Sequence, residues 1–175
     1  MNLKGIKKNT ALKYLMKHQN DTAKQSSIRI EQLKTVGIIA DEELFKAYDF
    51  TKKLSTDLGI KVSDIEVILF QKTKSKKSLD YFEFFSDKSF NMFGKIKDKD
   101  LKRFMEKEFD LLINYCDQDN VFAHIVSFQS NAKMKASLKN ENISFYQLRI
   151  DIQGNKINTF NEEIIKYLKI LNLIV

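Results

Sequence analysis

The chain has 175 residues, 43% of them hydrophobic, with 30 basic and 23 acidic side chains and a net charge of +7. That length and composition fit one globular domain with a real apolar core and a short appendage. A single cysteine, Cys116, excludes an intramolecular disulfide, and the longest apolar runs, such as residues 67–70, are far too short to span a bilayer. Residues 1–19 hold no apolar run of signal-peptide length, so the expectation is a soluble, cytoplasmic protein. The charge is uneven: the first 40 residues carry +6 and the remaining 135 only +1. Lysine supplies it, with 27 Lys against 3 Arg. Base-reading and bidentate phosphate sites favour arginine, so the excess points to diffuse attraction rather than sequence readout.

Residues 3–19 are predicted to form an amphipathic helix. Leu3, Ile6, Ala11, Tyr14, Leu15 and His18 fall roughly on one side, and Lys4, Lys7, Lys8, Lys13 and Lys17 largely elsewhere. These five lysines are the candidate polyanion contacts. The helix is either an arm lying on RNA or an anionic membrane, or an element packed on the domain with a solvated lysine face. Residues 20–27 read as a polar linker. The expected organisation is therefore a basic helix and linker over 1–27 and an α/β domain over 28–175.

Residues 35–40, TVGIIA, form the first core strand. Asp41 closes it and is expected to cap one helix bearing Leu44, Ala47, Tyr48, Thr51, Leu54 and Leu58, ended by Gly59 in a left-handed C-cap. Residues 65–70 form a second apolar strand, and Lys72, Lys74, Lys76 and Lys77 a solvated loop. Residues 81–94 carry six aromatics, which pack a short strand and loop on the core or offer a stacking surface. Asp98 caps a helix running to residue 108, with Leu101, Phe104 and Met105 inward.

Residues 109–114 are nearly continuously apolar, as in a strand covered on both faces. A polar turn over 115–120 follows, in which Asp117, Asp119 or Asn120 caps a helix over 121–129 striped by Val121, Phe122, Ile125 and Val126. Residues 133–138 then place Met134, Ala136 and Leu138 on one side of a strand. That order implies a parallel pair with a right-handed crossover. Residues 144–153 alternate, suggesting an edge or antiparallel strand. Thr159 and Glu162 read as a capping box before a helix striped by Phe160, Ile164, Tyr167, Leu168 and Leu171. The alternation of strand and helix predicts a three-layer, Rossmann-like α/β domain with a mostly parallel sheet of four to six strands.

No glycine pair makes GxG, and Gly94-Lys95 lacks the rest of a P-loop, so no nucleotide cofactor of the Gly-rich type is expected. His18 and His124 each lack a second ligand at metal spacing. Cys116 has no evident base partner and reads as a buried thiol. No catalytic residue is assigned. What remains is the carboxyl end of the sheet, where open α/β proteins bind ligands. There the strand ends offer Asp41, Gln71, Asn114, Asp117 and Asp119, as contacts for a hydroxylated ligand or a cation, or simply as caps and turn residues.

The segments VGII at 36–39, FGKIKDKDLKRFMEKEFDLLINY at 93–115 and YLKILN at 167–172 resemble uncharacterised Bacteroidetes proteins, especially flavobacterial ones, that carry a domain of unknown function. The resemblance spans roughly residues 25–173 and implies a bacterial cytoplasmic protein without implying an activity. Residues 109–138 are also loosely similar to the N-terminal half of heptosyltransferase-type glycosyltransferases. The Gly-Asp turn of that family is replaced here by Ala40-Asp41, and its nucleotide-sugar-binding half is missing. The leading expectation is a non-enzymatic binding or adaptor module whose basic N-terminal helix meets RNA, a ribonucleoprotein or an anionic membrane. The alternative is a small transferase or hydrolase working at the strand ends. Dimerisation through an edge strand or the aromatic loop is a third possibility.

Overall fold

The computed structural model describes residues 3–19, 30–72, 82–91, 93–152 and 156–175. Within them the chain runs α1 (Leu3–His18), β1 (Val36–Asp41), α2 (Glu42–Ala47), α3 (Phe50–Leu58), β2 (Ile65–Phe70), β3 (Glu83–Phe85), α4 (Lys99–Glu106), β4 (Leu111–Asn114), α5 (Val121–Gln129), β5 (Met134–Leu138), β6 (Leu148–Ile150) and α6 (Ile157–Ile170). The six strands form one sheet in the order β3-β2-β1-β4-β5-β6, every neighbouring pair parallel. The domain is a three-layer, Rossmann-like α/β fold. No helix among the described residues is long and apolar enough to cross a membrane.

The four inner strands are apolar on both faces because helices cover both. Val36, Ile38, Leu69, Ile113 and Ala136 pack on one side with Phe50 and Leu54 of α3 and Phe160, Ile164 and Leu168 of α6. Ile39, Ile68, Leu112 and Phe109 pack on the other with Leu101 and Phe104 of α4 and Ile125 and Val126 of α5. The chain moves one way along the sheet from β1 to β3 and the other way from β4 to β6. Right-handed crossovers therefore put α3 and α5 on opposite faces.

Helix α1 packs on α5: Ala11 and Leu15 are fully buried, Leu15 against Phe128, Ile143, Phe145 and Tyr146. The predicted apolar side of this helix is corrected at Ile6, which is 40% exposed, because the buried stripe runs through Ala11 and Leu15 and turns Ile6 outward. The expected linker at 20–27 lies outside the described residues.

Other boundaries differ for local reasons. The single helix expected after Asp41 is two, since the Asp49 carboxylate accepts from the Lys52 amide at 3.1 Å and starts α3 afresh. Asp41 is the N-cap residue of α2, but its side chain makes no capping hydrogen bond. Gly59 ends α3 at φ +67°, and Asp98 caps α4 through the amides of Asp100 and Leu101, both as expected. Asn120 is the residue that caps α5. Helix α4 stops at Glu106, short of residue 108. Thr159 and Glu162 form no capping box: α6 begins at Ile157, so Thr159 already lies within its first turn. Tyr167 and Leu171 are half exposed, and Asn161 takes an inward position instead. The 144–153 strand shrinks to β6, a parallel edge strand, because Tyr146 turns toward α5 while Ile150 faces α6. Of the aromatics at 81–94, Phe85 and Phe90 are core residues, whereas Phe93 is 71% exposed and Tyr81 is outside the described residues.

Gly37 in β1 has a steric reason. A Cβ there would sit 2.7 Å from the Phe109 ring and 2.8 Å from Leu112 Cδ1, both atoms held in the core. Gly37→Ala is expected to cost about 1–2 kcal/mol by overpacking, seen as a lower denaturant midpoint at unchanged m-value.

Candidate functional site

The strand order reverses between β1 and β4, and connections leaving these strands in opposite directions open a crevice beyond their carboxyl ends. A cleft of about 520 Å³ lies there, within the size range of small-ligand pockets. The ends of the four inner strands each supply part of it: Asp41 from β1, Phe70 and Gln71 from β2, Tyr115 and Asp117 from β4, Leu138 from β5. Ile152 follows β6, while Leu44 of α2 and Ile157 and Phe160 of α6 close the wall. The lining combines the apolar Phe70, Leu138, Ile157 and Phe160 with the charged Asp41, Glu43, Asp117, Lys72 and Lys156.

Asp41 is the unusual member. Its Oδ2 accepts from the Asp117 amide at 3.4 Å, whereas Oδ1 is buried and has no hydrogen-bond partner among the described residues. Burial pushes its carboxyl pKa up; Lys72 and the Asp117 amide oppose that, and the Asp117 and Glu43 carboxylates add to it. Such a carboxyl accepts a hydrogen bond from a ligand hydroxyl or ammonium, or takes up a proton.

Of the other predicted contacts, Gln71 and Asp117 reach the cleft and two do not. Gln71 Nε2 donates to Glu42 Oε2 at 3.0 Å, and Lys46 donates to Glu42 Oε1 at 2.6 Å, so this buried glutamate is a tied brace in the wall. Asp119 is exposed in the β4–α5 turn and lines no part of the cleft. Asn114 is fully buried on the opposite face of the sheet. The β pleat sends it there, while its neighbour Tyr115 faces the cleft.

Asn114 belongs to an internal polar network. Its Nδ2 donates to the Tyr146 hydroxyl at 2.9 Å, and its Oδ1 accepts from the Cys116 amide at 3.0 Å. His124 Nε2 lies 2.9 Å from the Gln118 carbonyl, which can only accept, so the proton sits on Nε2. Nδ1 is then the acceptor for the Tyr146 O–H at 2.8 Å. Burial lowers the imidazole pKa, consistent with this neutral tautomer. Burial likewise pushes the Cys116 thiol well up, keeping it protonated. The network fixes the β4–α5 turn, and through it the Asp117 amide.

The sequence reading missed Tyr115, Asn161 and Tyr48. Tyr115 donates to Asn161 Oδ1 at 2.6 Å, and Asn161 donates to the Tyr48 hydroxyl at 3.0 Å, tying α6 to β4 and to the α2–α3 junction beside the cleft. A tyrosine opening a polar turn and an asparagine inside a helix carry no local signal for such a long-range link. No group of three histidine, cysteine or carboxylate residues is placed to hold a metal ion among the described residues.

A family described only as a family of unknown function (DUF6913) matches residues 7–171. The chain belongs to that family. The match runs from within α1 to the end of α6, so helix and cleft fall within one family unit. No curated protein and no solved structure matches the chain.

The predicted basic surface lies on α1. Lys8, Lys13 and Lys17 are exposed, and none is in an ion pair among the described residues. Lys7 is partly buried and donates to the Asp87 carbonyl. Lys4 lies in the first turn of the helix.

Proposed function

We propose that the protein is a binding module for a small ligand seated at the carboxyl ends of β1 and β4, with a hydrogen-bond-donating head on Asp41 and an apolar body on Phe70, Leu138 and Phe160. One observation carries this reading: Asp41, which lines a cleft of ligand size, has a buried carboxyl oxygen without a partner among the described residues. An unpaired buried acceptor costs about 1–3 kcal/mol, which a donor arriving with a ligand would offset. Carboxylates at the β1–α2 junction, where dinucleotide-binding folds carry glycines, disfavour a pyrophosphate and favour an amine or polyol. A carboxyl of raised pKa in a cleft is also the starting point for acid–base chemistry, which keeps the enzyme alternative tied to the same residue.

Phenethylamine, hexanediol and hexanoate, titrated against labelled protein, test this by amide shifts. The amine and the diol should move the Asp117 and Gln71 resonances and the carboxylate should not. Asp41→Asn should weaken that binding at least tenfold, about 1.4 kcal/mol. The same variant should be more stable at pH 7. A raised carboxyl pKa means the folded state holds more protons than the unfolded one above pH 3.8, so ionisation erodes stability as pH rises, and the amide avoids it. Fragments that leave these amides unmoved, or bind the variant equally, would rule the cleft out.

A second surface has separate support. Lys8, Lys13 and Lys17 of α1 are turned to solvent and unpaired among the described residues, and Lys13 and Lys17 share one face; they fit an acidic partner, as the N-terminal charge excess suggested.

A further inference from the structure

A second cavity, of about 380 Å³, lies at the carboxyl ends of β2 and β3. Lys72 lines it from the end of β2, Phe84 from β3, Lys88 from the turn after β3 and Lys97 from the approach to α4. Local hydrogen bonds tie this frame together. The Gln71 amide donates to the Phe85 carbonyl at 2.9 Å, closing the end of β2 on β3. The Ser86 hydroxyl accepts from the Lys88 amide at 3.2 Å. The Lys97 amide donates to the Ser89 carbonyl at 2.9 Å, and the Ser89 hydroxyl donates to Asp98 Oδ2 at 3.2 Å. Lys88 and Lys97, which belong to different segments, are thus held at one cavity.

A fourth lysine reaches the same turn from α1: Lys7 Nζ donates to the Asp87 carbonyl. Burial lowers the Lys7 pKa; the Asp87 carboxylate opposes that, and Lys97 adds to it. Asp87 and Asp98 also line the cavity. Both oxygens of Asp98 are already engaged, Oδ1 by the Asp100 and Leu101 amides that begin α4 and Oδ2 by Ser89. Four lysines against two aspartates leave positive charge in excess, and none of the four is in an ion pair among the described residues. Lys72 lies near enough to Asp41 to oppose the rise of its pKa, so Lys7, Lys88 and Lys97 carry most of the excess. Like charges gathered in this way oppose folding, and a bound anion would offset that cost.

We propose that this cavity binds the phosphate of a small monoester, with Lys88 and Lys97 as its principal contacts, Lys72 at its border with the Asp41 cleft, and the organic body against Phe84. The site is separate from the Asp41 cleft, with which it shares only Gln71 and Lys72, and from the outer lysines of α1. A phosphate monoester carries close to two negative charges at pH 7, which matches a surplus spread over several lysines. Lysine meets such a group as a point charge, without the fork that arginine would supply. The cavity sits at the lower end of the ligand-size range, so it has room for a few carbons beyond the phosphate, and the half-buried Phe84 offers them an apolar contact.

Titrating the labelled full chain with glycerol 3-phosphate, with inorganic phosphate and, at matched ionic strength, with sodium chloride tests this by amide shifts. Glycerol 3-phosphate should move the Ser86, Lys88 and Lys97 resonances to saturation, and chloride should not. Inorganic phosphate should reach the same residues about threefold more weakly, since it lacks the body that Phe84 receives. Lys88→Gln with Lys97→Gln should weaken the ester roughly tenfold, whereas Lys13→Gln with Lys17→Gln, farther along α1, should leave it unchanged. Asp41→Asn should not weaken it, which separates this site from the cleft. Lys88 and Lys97 are exposed, so unchanged thermal melts are expected. Lys88→Gln alone, about threefold weaker, keeps the test should the pair fail to fold. Shifts that merely track ionic strength, or an ester that binds the double variant equally, would overturn the site. Inorganic phosphate binding as tightly as the ester would overturn the monoester assignment and make the free ion the ligand.

Discussion

Replacing Lys135 by methionine is expected to raise the unfolding free energy by about 2–3 kcal/mol at pH 7. Lys135 is the second residue of β5 and is buried on the α5 face of the sheet, its Nζ reaching only the Phe128 carbonyl at 3.2 Å among the described residues. Burial lowers its pKa from 10.5 to about 8. At about 1.4 kcal/mol per pH unit, holding the charge inside costs the folded state on the order of 3 kcal/mol. The sign follows from proton counting. Between about pH 8 and 10.5 the unfolded chain keeps this proton and the folded one has released it. Stability therefore rises with pH across that window. Methionine is unbranched, uncharged and one heavy atom shorter, so the variant should be more stable at pH 7 and should lack this share of the alkaline rise. Urea unfolding of both proteins at pH 7 and pH 10 separates the outcomes. A destabilised variant with the wild-type pH slope would mean that the ammonium is solvated or paired.

Asp110→Ala should lower stability by about 2–3 kcal/mol, the cost of removing a mostly buried carboxylate that accepts from two backbone amides, a hydroxyl and the partly exposed Lys133. Asp110 stands just before β4, at the opposite end of the sheet from the cleft. Its Oδ2 accepts from the Lys34 amide at 2.9 Å, the Thr35 amide at 3.0 Å and the Thr35 hydroxyl at 3.2 Å, and its Oδ1 from Lys133 at 2.7 Å. One carboxylate thus gathers the entries to β1, β4 and β5. Desolvation alone would raise its pKa, but the hydrogen bonds from Lys133, Lys34 and Thr35 outweigh it and hold the carboxyl below its ordinary 3.8. A depressed carboxyl stabilises above its unfolded pKa, and that share is lost as pH falls through the folded value. The wild type should therefore lose stability steeply below about pH 4, and Asp110→Asn should lose it less steeply. Acid titration of the unfolding free energy reads the difference. Equal acid limbs would show the carboxylate to be a bystander.

Both effects come from groups that only the assembled chain brings together. Lys135 sits in an alternating run that places Met134, Ala136 and Leu138 on one side, yet all five residues of β5 are buried, because α5 and the segment bearing Tyr146 cover the second face. Asp110 looked like one residue of a strand and is instead its anchor. In the cleft, Asp41, Gln71 and Asp117 were legible because strand ends follow from apolar runs, and in a parallel sheet all strand ends share one edge. Asn114 was misplaced by one step of the pleat, which sends neighbouring side chains to opposite faces. Tyr115, Phe160 and Ile152, which make the cleft apolar, were not legible, since β4, β6 and α6 meet there only through long-range packing.

By itself the sequence determined the kinds of element and their order. Apolar runs of strand length between helical stripes can bury themselves on both faces only as a parallel sheet between two helix layers, and the lysines of the first helix were visible as a local excess of charge. The tertiary structure decided what local pattern does not encode: that the strand order reverses between β1 and β4 and a cleft opens there, and that Asp41, which lines it, has a buried carboxyl oxygen without a partner among the described residues. Periodicity reports which side of an element avoids water. Which other element supplies that shelter, and what it leaves exposed, depends on contacts between residues far apart in the chain.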